Sequence, residues 1–352
     1  MSKQSGNGVP FDTIKAFAPK IYLHPYDNQH PVSIENYLQT VWLLDKDKEV
    51  LSKDVTPDVL IQYNTSENYT RGADDRFPTA KDDFQTGDKI EATSNSGVGQ
   101  CKSPVYVKTF SWDTHVDIKY AMFYAMNTFQ VFRAGIGYGV TTKKRTFPWA
   151  RFARHEGDWE HVTVRLDSSC KNILGAFYSQ HGKSDWVSEP PLEDGTHPVC
   201  FSALNTHANY PNAANKTLDH ILHPPGLSPV RWLKAIDTTM RNAEKPRGGL
   251  RVYKDPEPFF REVRWLPYEN DSQIVVVDDN PEACKWLDVK GRWGPPKLSN
   301  KHIDRPPKLP DKAQNFLFDY AKVAKAFLKN KYLVGNGPRG PKQQDWWLQK
   351  EP

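Results

Sequence analysis

Sulfur is scarce in this chain, with four cysteines and four methionines in 352 residues. Cys101, Cys170, Cys200 and Cys284 stand far apart and form no Cys-x-x-Cys pair, which excludes a thiolate zinc ribbon and a thioredoxin-type redox motif. Buried free thiols are the expectation. No run approaches the ~20 apolar residues that carry a helix across a bilayer. Residues 1–10 lack the apolar core of a secretory signal, so the protein is expected to be soluble and cytoplasmic. A G-x-S-x-G elbow, an H-E-x-x-H pair and a Walker loop are all missing. G-I-G-Y-G at 135–139 is followed by T-T-K-K-R and not by a helical pattern, so it reads as a flexible turn and not as a phosphate loop. A net charge of +5 over this length is too mild for a nucleic-acid partner. No internal repeat or low-complexity tract occurs.

What is present is enough apolar and aromatic material, 38% and 12% of residues, to build a large core. A short strand is expected at 20–24 and a helix starting near Ser33, a good N-cap. Residues 45–100 read as a long polar loop holding one short strand at 59–63. Strand signals then follow in series at 105–110, 117–127, 160–167, 173–180 and 199–206, rich in Val, Ile, Tyr, Phe and Thr and bounded by turn residues. Further strands are expected at 249–253 and 274–277. Residues 311–333 carry Phe316, Tyr320, Val323 and Phe327 at spacings of four and three, an amphipathic helix. The fold expected is mainly β: an antiparallel β-sandwich with peripheral helices over residues 9–310, followed by a C-terminal segment, 311–352, with that amphipathic helix.

The densest polar cluster is R-H-E-G-D-W-E-H-V-T-V-R-L at 154–166. In a strand, Glu156, Asp158 and Glu160 share a face with Val162, Val164 and Leu166, while Trp159, His161, Thr163 and Arg165 take the other. Burying carboxylates without partners costs many kcal/mol, so that face calls for a cation, a donor network or a wet cavity. Gly157 is a site for a bulge that swings His155 toward the same place. Two more runs keep a histidine in phase with apolar residues: Phe177, Ser179 and His181, and Val199, Phe201, Ala203, Asn205 and His207. If the three runs are neighbours, His181, His207, Asp158 and Glu160 converge on one cavity. Such a set can bind a divalent cation or hold a histidine for acid–base work. The candidate residues are therefore His181, His207 and Glu160 for catalysis, His155, Trp159, His161 and Asn205 for ligand binding, and Asp158, Glu160 and His155 for a metal.

F-A-P-K-I-Y-L-H-P, D-I-K-Y-A-M-F-Y-A-M-N, H-E-G-D-W-E-H-V-T-V-R-L, F-Y-S-Q-H-G, A-L-N-T-H-A-N-Y-P and G-R-W-G-P-P-K occur in this order. In them the chain resembles the vacuolar protein sorting-associated protein 62 family over roughly 17–297, which implies a mainly β fold and a link to trafficking. G-D-W-E-H is similar to the H-D-W-E core of necrosis- and ethylene-inducing peptide-like proteins, β-sandwiches whose acidic and histidine residues hold a divalent cation at a lipid-binding surface. That second resemblance implies Asp158 and Glu160 as metal ligands, with His155 or His161 beside them.

The function expected is a ligand-binding or trafficking-related protein with a polar His/Asp/Glu pocket, stabilised by calcium, magnesium or zinc. One alternative is an enzyme, hydrolytic or acting on a specialised metabolite, that uses the same residues. Another is a membrane-active protein. The partner expected is a small molecule or a lipid, with peripheral membrane contact and no transmembrane segment.

Overall fold

The computed structural model describes residues 8–73, 86–138, 141–222, 230–244, 258–296, 336–345 and Trp347. Two sheets face each other across one core. The larger, eight-stranded sheet runs Lys183–Val187, Ile173–Gln180, Thr141–Asp167, His115–Tyr138, Val230–Thr238 and Asn215–Leu222, with Val105–Ser111 and Ile274–Val276 attached beside His115–Tyr138. Its centre is a hairpin of two long strands, 24 and 27 residues. A seven-stranded sheet lies opposite, centred on Lys20–Leu23 between His197–Ser202 and Glu262–Trp265. Ile21, Leu23, Cys200, Val263 and Trp265 from this sheet meet Ile118, Tyr120, Met122, Val162, Val164 and Tyr178 from the larger one.

The mainly β architecture expected from the strand signals is present, and most pairings are antiparallel. Three are parallel: Lys20–Leu23 with His197–Ser202, Glu262–Trp265 with Val98–Cys101, and Ile274–Val276 with Val105–Ser111. Each of these joins segments remote in sequence, where no tight hairpin imposes direction.

Behind the larger sheet lies a second core of aromatic residues. Trp159, Phe123 and Tyr106 project into it from the sheet. Tyr37 of the Ile34–Leu38 helix, Trp286, Trp293 and Trp347 close over them. Ser33 caps that helix by accepting from the Asn36 amide at 3.1 Å, as its sequence predicts. The 59–63 strand is not formed. Pro57–Gln62 is an α-helix instead, capped by the Thr56 hydroxyl on the Val59 amide, with Pro57 in the first turn. The polar stretch 45–100 also carries short strands at Val50–Ser52, Tyr69–Gly72, Glu91–Ala92 and Val98–Cys101, held by pairing with partners remote in sequence or in short hairpins.

Gly135 is not a turn residue but pairs with Lys144 within the long hairpin and with Trp232 of the adjoining Val230–Thr238 strand. The expected 249–253 strand and 311–333 helix lie outside the described residues. All four cysteines are free. Among the described residues no helix is long and apolar enough to cross a membrane.

Candidate functional site

The Thr141–Asp167 strand places Asp158 opposite Tyr124 and Glu160 opposite Met122, on the face that meets the seven-stranded sheet. Strand alternation sends Trp159 and His161 the other way. Trp159 lies 5.5 Å from Trp286 and 5.8 Å from Trp293 between ring centroids, inside the aromatic core. His161 is buried, and burial with the Lys119 charge nearby lowers its pKa to about 3. Neither residue shares the acidic face.

Alternation breaks just before Asp158. Gly157 has φ +68°, and a side chain there would run into the Trp293 carbonyl. The expected bulge does not form at Gly157, since pairing stays in register from His155 to Asp167 and shifts only between Asn127 and Phe129. The turn in backbone direction takes Glu156 out of the acidic row, and its carboxylate accepts from the Gly72 amide at 2.7 Å. His155 folds back on its own strand, Nδ1 2.7 Å from the Gly157 carbonyl, and does not join Asp158.

His207 does join it. The expected run 199–206 ends early, because the strand is His197–Ser202 and Asn205 and His207 sit in the left-handed region at φ 62° and 54°. The resulting turn, closed by His207 N donating to the Ala203 carbonyl, drives the imidazole into the protein. It is fully buried and stacks on Tyr124 with centroids 3.8 Å apart. Its Nδ1 lies 3.0 Å from Asp158 Oδ2 and its Nε2 3.7 Å from Asp27 Oδ2. Nε2 has no hydrogen-bond partner among the described residues. Asp27 accepts from the amides of Gln29 at 2.8 Å and Asn205 at 2.7 Å. Burial nonetheless raises its pKa, against the pull of His207 and those amides.

Glu160 is buried beside Asp158. Ser179 Oγ donates to it, and the Asn209 amide group donates to Ser179 Oγ at 3.1 Å. Burial first, and the Asp158 charge second, push the Glu160 carboxyl well above its usual value.

His181 occupies a different setting from the one expected. It is not the last residue of a strand but, with Gly182, forms the turn between Ile173–Gln180 and Lys183–Val187, both at positive φ. That two-residue geometry matches the twist of the flanking strands. Its side chain is 37% exposed, and Nε2 reaches the wholly buried Asp237 at 2.6 Å. Asp237 also accepts from Thr206 Oγ1 at 2.9 Å and Tyr210 OH at 2.7 Å. Burial lowers the His181 pKa but Asp237 outweighs it, so the ring is held above its usual value.

His181, His207, Asp158, Glu160 and Asn205 are thus brought together, with the consecutive residues Thr206 and His207 linking the Asp237 and Asp158 branches. Sequence reasoning missed Asp27 and Asp237. Each lies outside the histidine-bearing runs, and an aspartate beside Tyr26 or Ile236 gives no local sign that it will be buried. Chemically the site offers four buried carboxyl groups against two imidazoles. Its outer end, His181 on Asp237, can accept or give a proton. Among the described residues no group of three His, Cys, Asp or Glu side chains stands ready to hold a metal ion.

No curated protein matches the chain. Among solved structures it is similar to necrosis and ethylene inducing protein 2 from the causal agent of cocoa's witches' broom disease, at 18% identity and TM-score 0.26 over 60% of this chain and 71% of that one. It is also similar to the non-toxic HaNLP3 protein, at 12% identity and TM-score 0.26 over 73% and 80%. A third is NLPPya in complex with glucosamine, at 12% identity and TM-score 0.25 over 82% and 95%. The model of the vacuolar protein sorting-associated protein 62 family matches residues 11–220, a span that contains every residue of the acidic centre except Asp237. The chain belongs to the vacuolar protein sorting-associated protein 62 family.

Proposed function

We propose that this protein is a ligand-binding protein whose buried acidic centre takes up a divalent cation. One observation carries the reading. Asp27, Asp158 and Glu160 are buried together, and among the described residues none of them pairs with a lysine or arginine. Buried carboxylates are tolerated when neutralised by protons, by basic side chains or by a metal. Here the first is supplied by the raised affinity of Glu160 for its proton and the second by histidines alone among the described residues, His207 between two aspartates and His30 near Asp27. A cation would displace the proton and complete the neutralisation.

The donors suit one. Carboxylate oxygens are ligands for calcium and magnesium, and an imidazole nitrogen adds zinc to the range. Asp158 and Glu160 are the first donors, with Asp27 and Nε2 of His207 next to them. Because no three of these stand preformed, uptake requires the Asp158–His207 hydrogen bond to open.

The test is a calorimetric titration of chelator-treated protein with calcium, magnesium and zinc chloride, repeated on Asp158→Asn. Stoichiometric binding of one of the three, weakened at least about tenfold in the variant, about 1.4 kcal/mol, is expected. A wild-type protein that binds none of them, or a variant that binds as well, removes the reading.

A further inference from the structure

The strand that carries Asp158 and Glu160 is held from behind by a stack of close backbone contacts. Gly157 lies against the Trp293 carbonyl, and Gly294 lies against the Glu156 carbonyl so closely that a Cβ at either glycine would overlap it. Gly294 has φ +116° and is fixed in turn by its amide donating to Thr70 Oγ1 at 3.0 Å. The Gly157–Gly294 pairing therefore locks the two chain segments at a separation no other residues allow.

A third layer lies outside these two. Residues 336–345 pack on the Trp293 loop. Trp293 N donates to the Pro338 carbonyl at 2.8 Å, Gly337 N to the Pro295 carbonyl at 3.1 Å, and Arg292 Nη1 to the Gly337 carbonyl at 2.9 Å. Gly337 lies directly on the Gly294 backbone, and Gly340 on the Val289 carbonyl. Trp347, 2% exposed, is inserted in the same aromatic core as Trp159, Trp286 and Trp293.

From this we infer that residues 336–345 with Trp347 form a strap that positions the acidic strand, by clamping the Trp293–Gly294 loop against Glu156, Gly157 and Trp159. The consequence for ligand uptake rests on the cation-binding reading above. A strand whose two faces are read by different partners transmits a loss on one face to the other. A cation held by Asp158 and Glu160 and a docked strap would then favour each other reciprocally.

Hydrogen exchange on the full chain tests this without needing a ligand. In metal-free protein, amides 156–161 are followed in Trp347→Ala, in Gly337→Ala, in Glu189→Ala as an exposed control outside the strap, and in Ile14→Ala, which opens the core between the sheets. Exchange at 156–161 is expected to rise about tenfold in the two strap variants and to stay unchanged in Glu189→Ala, while in Ile14→Ala it rises only in line with global stability. A rise in the strap variants no greater than the one Ile14→Ala produces at equal loss of melting temperature overturns the strap. If the strap variants show the rise but a cation that binds wild-type protein by calorimetry does not slow exchange at its Trp293 and Gly337 amides, the positioning role stands and the coupling to the cation falls; if no cation binds at all, the cation-binding reading falls and the positioning role still stands.

Discussion

Glu160 is a carboxyl group held out of water. It is buried next to another carboxylate and held by one serine hydroxyl. Its folded pKa lies well above the ordinary 4.5, so the native state keeps a proton that the unfolded chain releases. The stabilising contribution of this group is then fully present below about pH 4.5 and is lost as pH rises through the folded value, at up to about 1.4 kcal/mol per pH unit. Glu160→Gln keeps the acceptor for Ser179 and removes the charge. In the presence of a chelator the variant is expected to melt at or above wild type at pH 8, with its advantage vanishing toward pH 4.5. Melting curves across that range check it, and a constant offset at every pH would contradict it.

The buried neutral histidines act in the opposite sense. His24 and His161 have pKa values lowered to about 3 by burial. Their contribution is present above the unfolded value of 6.5 and is lost as pH falls. The two trends oppose each other between pH 6.5 and 4.5.

At the scale of elements, the strand Thr141–Asp167 does two jobs because of parity alone. Even positions Asp158 and Glu160 reach the acidic centre, and odd position Trp159 reaches the aromatic core. Gly157 sets where that alternation starts, and Gly157→Ala forces a Cβ into the Trp293 carbonyl at a positive φ. A loss of about 2–4 kcal/mol is expected, from strain together with displacement of the Trp293 loop. Chemical denaturation measures it, and a loss under about 1 kcal/mol would mean that the loop yields freely.

Much of this element was legible in its residues. The alternation in W-E-H-V-T-V-R-L fixes the two faces, and the Ile173–Gln180 strand has the expected bounds. The turn at Ala203–His207 was not, because V-C-F-S-A-L-N-T-H alternates like a strand. Only the pairing of Phe201 with Tyr210 and Ser202 with Asn209 forces the chain to reverse there, with Asn205 taking the left-handed conformation that asparagine tolerates. The Thr56–Pro57 helix start carries a legible cap and N1 proline, but its six residues are too short to show a helical period.

For the whole molecule, the two cores sort the cysteines. Cys101, Cys200 and Cys284 are buried, and burial pushes all three thiols up, Cys101 and Cys284 to about 12. Cys170, in the turn after the Thr141–Asp167 strand, is partly exposed. Since the thiolate is the reacting species, native protein is expected to be alkylated by iodoacetamide at Cys170 first and at the others only on unfolding. Mass mapping of the modified peptides reads the order, and early labelling of Cys284 would show that the aromatic core opens. Asp27 and Asp237 entered the site from segments about 130 and 80 residues away from Asp158. No local pattern announces such residues, because their burial is decided by sheet order.

The two-faced strand also limits which changes in chain length the protein can survive. A single residue inserted or deleted between Asp158 and Leu166 inverts every side chain on one side of the change. It would carry the carboxylates into the aromatic core, or Trp159 into the acidic one. The turn at His181–Gly182 is fixed in length by the Gln180–Lys183 pairing. In a gene accumulating small insertions and deletions, codon gains and losses should therefore be purged from this strand and its hairpin, while the surface connections outside the sheets remain free to vary in length.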